Sequence, residues 1–327
     1  IELADHNAFE KVRSIETSLV NYGFEILIGG RPLPQQSPWT LDLSLSLAMN
    51  KDVIAKLPNE ARQIINSDAK IINRLGSNAL ANYLLVNKGV YATDEDVPVN
   101  PATGERMKAA NNKNNGYVYM QAGDPIWVDV NGDYIIDDKD KVVVGNSQPR
   151  LTGGFNANLR YKSFSINTNF SFTIKRDIIN KALADRFAAY GNPLSKDLNG
   201  SGAITPIEAF DFWKEDHIYA KYPNPFDYIR GGTADHQVNF FRPDQTLFME
   251  DGSFLKINGV SISYVLPKKV LDFLRVERVQ LNASVNNIYT FSKYSGVNPE
   301  NVNSLGYDVS GGYPNSRNYT MGVSIDF

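Results

Sequence analysis

The sequence predicts an all-β protein, a stretch of about seven strands from a transmembrane antiparallel β-barrel whose long outer loops contain short helices. Three observations lead there. Apolar and polar residues alternate with period two over runs of ten residues or more, near the roughly 9–11 residues of a membrane β-strand and beyond the usual 5–6 of a soluble one. Short connections alternate with long polar and aromatic-rich ones, over 51–147 and 175–252, as in barrels with short turns on one side and long loops on the other. Aromatic residues gather at strand ends, with Trp39, Tyr161, Phe164, Tyr264, Tyr289, Phe291, Tyr319 and Phe327 where interfacial girdles lie.

The strands are expected at about 18–29, 38–50, 151–161, 164–175, 253–266, 278–292 and 318–327. In the first, Val20, Tyr22, Phe24, Ile26 and Ile28 share a face; in the second, Trp39, Leu41, Leu43, Leu45, Leu47 and Met49 oppose Asp42, Ser44 and Ser46. Phe155, Ala157, Leu159 and Tyr161 stand against Asn156, Asn158 and Arg160. After the two-residue turn Lys162-Ser163, Phe164, Ile166, Phe170, Phe172 and Ile174 stand against Ser165, Asn167, Asn169, Ser171 and Thr173, so the pair reads as a tight hairpin. In FLKINGVSISYVL the apolar register shifts near Asn258 and Gly259, as a β-bulge causes. VQLNASVNNIYTF follows, and in NYTMGVSIDF the row Tyr319, Met321, Val323, Ile325 and Phe327 is unbroken. TPIE at 205–208 reads as a helix start inside a loop.

Composition narrows the function classes. With 42% hydrophobic residues the chain is too apolar to be disordered, and at net charge −3 with scattered basic residues it lacks the electrostatic footprint of a nucleic-acid binder. The absence of cysteine excludes disulfides, thiolate metal sites and cysteine nucleophiles. No apolar run approaches the roughly 20 residues of a membrane helix. Seven strands is an odd number, whereas bacterial single-chain barrels have an even one, and in lipid an unpaired strand edge costs several kcal/mol per polar group. The expectation is therefore that residues outside this chain supply further strands. The start, IELADHNAF, has no signal-peptide pattern and points the same way.

The segments DVNGDYIIDDKDKVVVGNSQPRLTGGFNANLRYKSFSI, FWKEDHIYAKYPNP, DGSFLKINGVSISYVLPKKV, VNNIYTFSKYSGVNPE and GGYPNSRNYTMGVSIDF occur in that order between residues 123 and 327. Together they resemble the carboxy-terminal part of a SusC/RagA-type TonB-dependent outer-membrane transporter. VNYGFEILIGGRPL and WTLDLSLSLAMNKDVIAKLP are similar to the family more loosely. The resemblance implies a barrel of roughly 22 strands, within the range for such barrels, with an amino-terminal plug. On that reading residues 1–327 are the carboxy-terminal part, and the plug and TonB-binding segment are absent from this chain. It further implies import of oligosaccharides or oligopeptides across the bacterial outer membrane, energised through TonB, with a SusD-like surface lipoprotein and the remaining amino-terminal part of the transporter as partners. It implies no enzyme activity. Phe327 matches the terminal aromatic residue that the barrel-assembly machinery reads in such proteins.

One motif carries chemistry. Asp129, Asn131, Asp133, Ile135 through its carbonyl, Asp137 and Asp140 fall at positions 1, 3, 5, 7, 9 and 12 of an EF-hand-type calcium loop. Against this, Tyr134 takes the place of the usual glycine and Asp140 that of the usual bidentate Glu; the alternative is a solvated, metal-free turn at Asn131-Gly132. Catalysis has little support, because His6, His217 and His236 share no metal spacing and Glu215-Asp216 is the pattern of a solvated face. Trp213, Tyr219, Tyr222, Phe226 and Tyr228 suit either substrate stacking or loop packing. Two rivals share the strand pattern: a secreted, calcium-stabilised carbohydrate-binding β-sandwich, and an outer-membrane adhesin barrel that imports nothing.

Overall fold

The computed structural model describes residues 17–66, 71–79, 81–111, 116–190, 207–225, 238–308 and 315–327. Seven strands form one antiparallel sheet in sequence order: β1 (Ser18–Gly30), β2 (Trp39–Lys56), β3 (Leu151–Tyr161), β4 (Phe164–Ile174), β5 (Phe254–Val265), β6 (Arg278–Ser292) and β7 (Asn318–Asp326). They are the seven read from the alternation. The second is longer than expected: β2 runs past residue 50 to Lys56, because β1 pairs with it along that extension, down to Ser18 opposite Lys56.

Register converts the alternation of each strand into two continuous faces. Ile28, Leu45, Phe155 and Phe170 lie side by side across β1–β4, and Ile166, Ile262, Ala283 and Met321 across β4–β7. One residue along, Ser44, Asn156 and Asn169 form the opposite face, as do Asn167, Ser261, Ser284 and Thr320. A slip of one residue in any pair would exchange the faces. The shift at Asn258 preserves them. Asn169 pairs with Gly259 but Phe170 with Ile257, leaving Asn258 as the extra residue, and β6 answers with Asn287 at φ 55°. The Lys162-Ser163 turn is equally tight, with Lys162 at φ 52°, the left-handed geometry that two-residue hairpins use.

The apolar face is open. Met321 is 87% exposed, Tyr319 71% and Val323 62%. Trp39, Tyr161, Phe164 and Tyr264 make a row across β2–β5 at the end of the sheet with the short turns, the first two rings stacked 4.2 Å apart. Among the described residues the outer strands β1 and β7 each pair on one side only, and no helix is long and apolar enough to cross a membrane.

Much of the buried apolar core sits in the long connections instead. Residues between β2 and β3 fold into small sheets, the largest ordered Lys141–Asn146, Ala81–Leu85, Ile71–Arg74, Gln63–Asn66. The β4–β5 connection contributes helix α1 (Lys181–Tyr190). Phe187 on α1 is fully buried, with the rings of Phe212, Phe210 and Tyr222 meeting it edge-on at 4.7–4.8 Å and those of Phe241 and Phe248 at 5.6 and 6.0 Å, the geometry aromatic quadrupoles prefer. A second core joins Leu85, Tyr91, Met107, Trp127 and Phe240. Of the helix start expected at 205–208, Thr205 and Pro206 lie outside the described residues; Ile207 and Glu208 lie in the short 3-10 turn Ile207–Ala209.

Gly153 sits on the apolar face beneath Phe172, and a Cβ there would run into that ring and the Ser46 carbonyl. Gly322 has nothing within 4 Å of an added Cβ. Gly153→Val is expected to destabilise the sheet by about 1–3 kcal/mol and Gly322→Ala to leave it unchanged. Thermal unfolding of the two variants, each in the complete protein, measures the difference.

Candidate functional site

The polar face offers a wall of short hydrogen-bonding side chains. Ser165 Oγ and Ser263 Oγ are 2.6 Å apart, Ser171 donates to Asn258 Oδ1 at 3.2 Å, and Asn258 Nδ2 donates to Asn169 Oδ1 at 3.1 Å. At the same end of the sheet as the Ser165–Ser263 pair, Asp42 accepts from Arg31 Nε at 2.8 Å and Arg160 Nη2 at 3.1 Å. Most of these groups bond one another, yet the face stays open enough to present amide and hydroxyl groups to water or to a polar occupant. Where the far ends of β1 and β2 meet the folded connections lies a cleft of about 730 Å³ lined by Asn50, Arg150, Lys175, Asp177 and Ser253 among others.

The acidic loop folds as its spacing implies, into a succession of side-chain-to-backbone turns. Asp129 accepts from the Gly132 and Tyr134 amides at 2.7 and 2.8 Å, Asn131 from Asp133 at 2.9 Å, and Asp133 from Ile135 at 2.8 Å. Tyr134, standing where glycine is usual, takes φ 63°. Asp137 and Asp140 form a capping box around the 3-10 turn Asp138–Asp140, with Asp140 Oδ2 accepting from the Asp137 amide at 2.8 Å and Oδ1 from Val130 at 2.9 Å. Asp140 is fully buried; burial pushes its carboxyl up, and the amide hydrogen bonds only partly offset that. Among the described residues no three His, Cys, Asp or Glu side chains are gathered closely enough to hold a metal ion. The chain's own amides donate to the loop's side-chain oxygens throughout the turn.

Sequence reasoning missed the charges that lock this loop to the rest. Asp138 accepts from Lys141 at 2.7 Å; Lys141 also reaches Asp244 at 2.9 Å, and Arg242 donates to both oxygens of Asp244 at 2.7 Å. Asp244 and Gln245 are fully buried. Burial raises the Asp244 carboxyl, but the hydrogen bonds and charges of Arg242 and Lys141 outweigh it and hold the group well below the usual carboxylate range. Gln245 accepts from Trp127 Nε1 at 2.7 Å and donates to the Phe240 and Arg242 carbonyls at 2.7 and 3.0 Å. No spacing rule links residues 138 and 141 to 242–245, so the cluster had no signal in sequence.

The aromatic candidates divide. Tyr222 packs in the Phe187 core and Trp213, half-buried, donates to the Ala92 carbonyl at 3.2 Å, so both serve packing. Tyr219 is 82% exposed. Phe226 and Tyr228 lie outside the described residues, with His6 and His236. His217 bonds Asp211 Oδ1 at 2.7 Å on the surface, near exposed Glu215 and Asp216. Phe327 is exposed beyond the end of β7.

No family model matches the chain. Among characterised proteins, it is 22% identical over 352 residues to TonB-dependent receptor P39 of Formosa agariphila, covering 100% of this chain and 32% of that protein. It is 25% identical over 323 residues to TonB-dependent receptor SusC of Bacteroides thetaiotaomicron, covering 95% of this chain and 26% of that protein. Among solved structures, the RagAB peptide transporter superimposes with a TM-score of 0.65 at 20% identity, over 95% of this chain and 30% of that one. The chain thus spans no more than about a third of the relatives it matches, and it is similar to SusC/RagA-type TonB-dependent receptors along nearly its whole length.

Removing Asp244 takes from Arg242 and Lys141 their buried partner and leaves them only the half-exposed Asp138. Asp244→Ala is expected to cost about 3–5 kcal/mol. Because the folded carboxyl is held below its unfolded range near pH 4, its contribution is complete above about pH 4 and is lost as the pH falls further. The difference in thermal stability between the unaltered protein and Asp244→Asn should therefore shrink below about pH 4; a gap that stays constant down to pH 2 contradicts the assignment.

Proposed function

We propose that the chain is the carboxy-terminal third of a SusC/RagA-type importer in the bacterial outer membrane, a transport protein without catalytic activity. The observation that carries the reading is the seven-stranded sheet whose apolar face is open while apolar cores are built in its long connections. In a water-soluble protein the hydrophobic effect would bring that face under cover. Lipid makes the open face favourable, and the polar face suits a water-filled lumen holding a plug. On this reading the edges of β1 and β7 pair with the amino-terminal part of the transporter, which also supplies the plug and the TonB contact. A SusD-like lipoprotein covers the mouth above the folded connections, and Phe327 acts as the assembly signal.

The substrate in this proposal is a polar oligomer, an oligopeptide or oligosaccharide. The polar wall of Ser, Asn and Thr hydrogen-bonds either kind. RagAB being a peptide transporter supports the peptide. Uptake of labelled oligopeptides and oligosaccharides by cells with and without TonB tests the reading; transport that persists without TonB overturns the energised-import part.

Two further tests belong here. Val323 faces outward with Leu281, and Ser324 inward with Gln280. Val323→Arg is expected to cost about 2–4 kcal/mol near the middle of a bilayer and to lower the amount of heat-modifiable barrel in outer membranes, with Ser324→Arg milder. Equal tolerance at the two positions contradicts the assigned faces. Calcium at Asp129, Asn131, Asp133, the Ile135 carbonyl, Asp137 and Asp140 also stays a proposal, supported by the spacing and by the left-handed Tyr134. A calcium ion would supply charge neutralisation and rigidity there. Calcium is expected to slow proteolysis within residues 123–147 and chelation to restore it; cleavage indifferent to both leaves only a hydrogen-bonded turn.

A further inference from the structure

The β5–β6 connection differs from the other short turns in carrying a helix, α2 (Lys268–Leu274), that the import reading does not use. It leaves the sheet where Val265 donates to the Ser163 carbonyl at 2.9 Å and Leu266 to the Val279 carbonyl at 2.9 Å. That is the level of the aromatic row Trp39, Tyr161, Phe164 and Tyr264, at the end opposite the folded connections. The helix turns an apolar stripe outward: Val270, Phe273 and Leu274, at i, i+3 and i+4, are 37%, 86% and 48% exposed. Leu271, one position round, is partly buried, and Val279, in the same row as Ile325 on the open face, is only 5% exposed. The connection is tied to that residue by its backbone, Leu266 donating to the Val279 carbonyl.

Charge completes the pattern. Lys268, Lys269 and Arg275 flank the stripe on exposed positions, and none of the three is ion-paired among the described residues; Asp272 and Glu277 are the acidic neighbours. In water, Phe273 would leave most of its ring in contact with solvent, which the hydrophobic effect disfavours. The stripe is continuous with a face that already meets lipid in the reading above. Amphipathic helices with basic flanks lie in the plane of a membrane interface, their apolar side a few ångströms below the headgroups and their cations beside phosphate.

We propose that α2 is an interfacial anchor: Val270, Phe273 and Leu274 insert into the leaflet on the short-turn side of the membrane, and Lys268, Lys269 and Arg275 bind phospholipid phosphate groups. The occupant is the lipid surface. The proposal rests on the outer-membrane reading, and the test separates the two. In the complete transporter reconstituted in phospholipid nanodiscs, nitroxide spin labels are placed singly through Phe273→Cys and, as a reference on the open face of the sheet, Leu281→Cys. Collision with oxygen, which enriches in the acyl region, is compared with collision with a water-soluble nickel complex. The expected result is oxygen-dominated relaxation at 281 and a shallower but still lipid-exposed position at 273. Nickel-dominated relaxation at 273 with oxygen-dominated relaxation at 281 overturns the anchor and leaves the barrel reading standing. Nickel-dominated relaxation at both overturns both. A label at 273 shielded from both reagents shows a protein partner on the stripe and likewise overturns the proposal.

Discussion

The structure depends on one constraint, the period of two that a β-strand imposes on its side chains. When seven successive strands keep that period in register, the sheet acquires one face of Leu, Ile, Val and aromatic residues and one of Ser, Asn and Thr, and neither can be altered locally without a bulge. The register shift at Asn258 is handled by an answering left-handed Asn287, so the faces emerge intact on both sides of it. Thr168, a polar residue on the apolar face, turns its hydroxyl to the Ala157 carbonyl at 3.4 Å, which removes its need for water.

The second consequence concerns where a hydrophobic core can form. A sheet that spends its apolar residues on an open face has none left to bury beneath itself, so the connections build their own interiors around Phe187 and Trp127. Most charged and amide groups inside those interiors are paired in turn, whereas the buried Tyr307 hydroxyl of the Phe187 core has no hydrogen-bond partner among the described residues. Lys141, Arg242 and Asp244 satisfy one another across a sequence separation of about a hundred residues, and Gln245 spends its amide on Trp127 and two carbonyls. The acidic loop is held against this cluster through Asp138. Its shape is thus set partly by residues far along the chain.

That division explains what could be read from sequence. Strands were legible because alternation is a local signal repeated over ten residues; the bulge showed as a break in it, and the aromatic row as residues at strand ends. The acidic turn was legible because side-chain-to-backbone bonds such as Asp129 to Gly132 span two to five residues. The loop cores were not, since Phe187, Phe212 and Phe241 come from segments with no common period. Nor could spacing show that Asp137 and Asp140 cap a turn, or that Tyr222 is a core residue while Tyr219 is exposed.

The central claim is that the two faces of the sheet meet different media. These 327 residues hold no cysteine; with any cysteine in the rest of the complete protein replaced, single cysteines are placed at each position from 319 to 326 and treated, in intact outer membranes, with a membrane-impermeant maleimide. The account predicts labelling that alternates with period two, positions 320, 322, 324 and 326 reacting and 319, 321, 323 and 325 protected. Uniform reaction along the strand, or protection on the Ser324 row with reaction on the Val323 row, would contradict it.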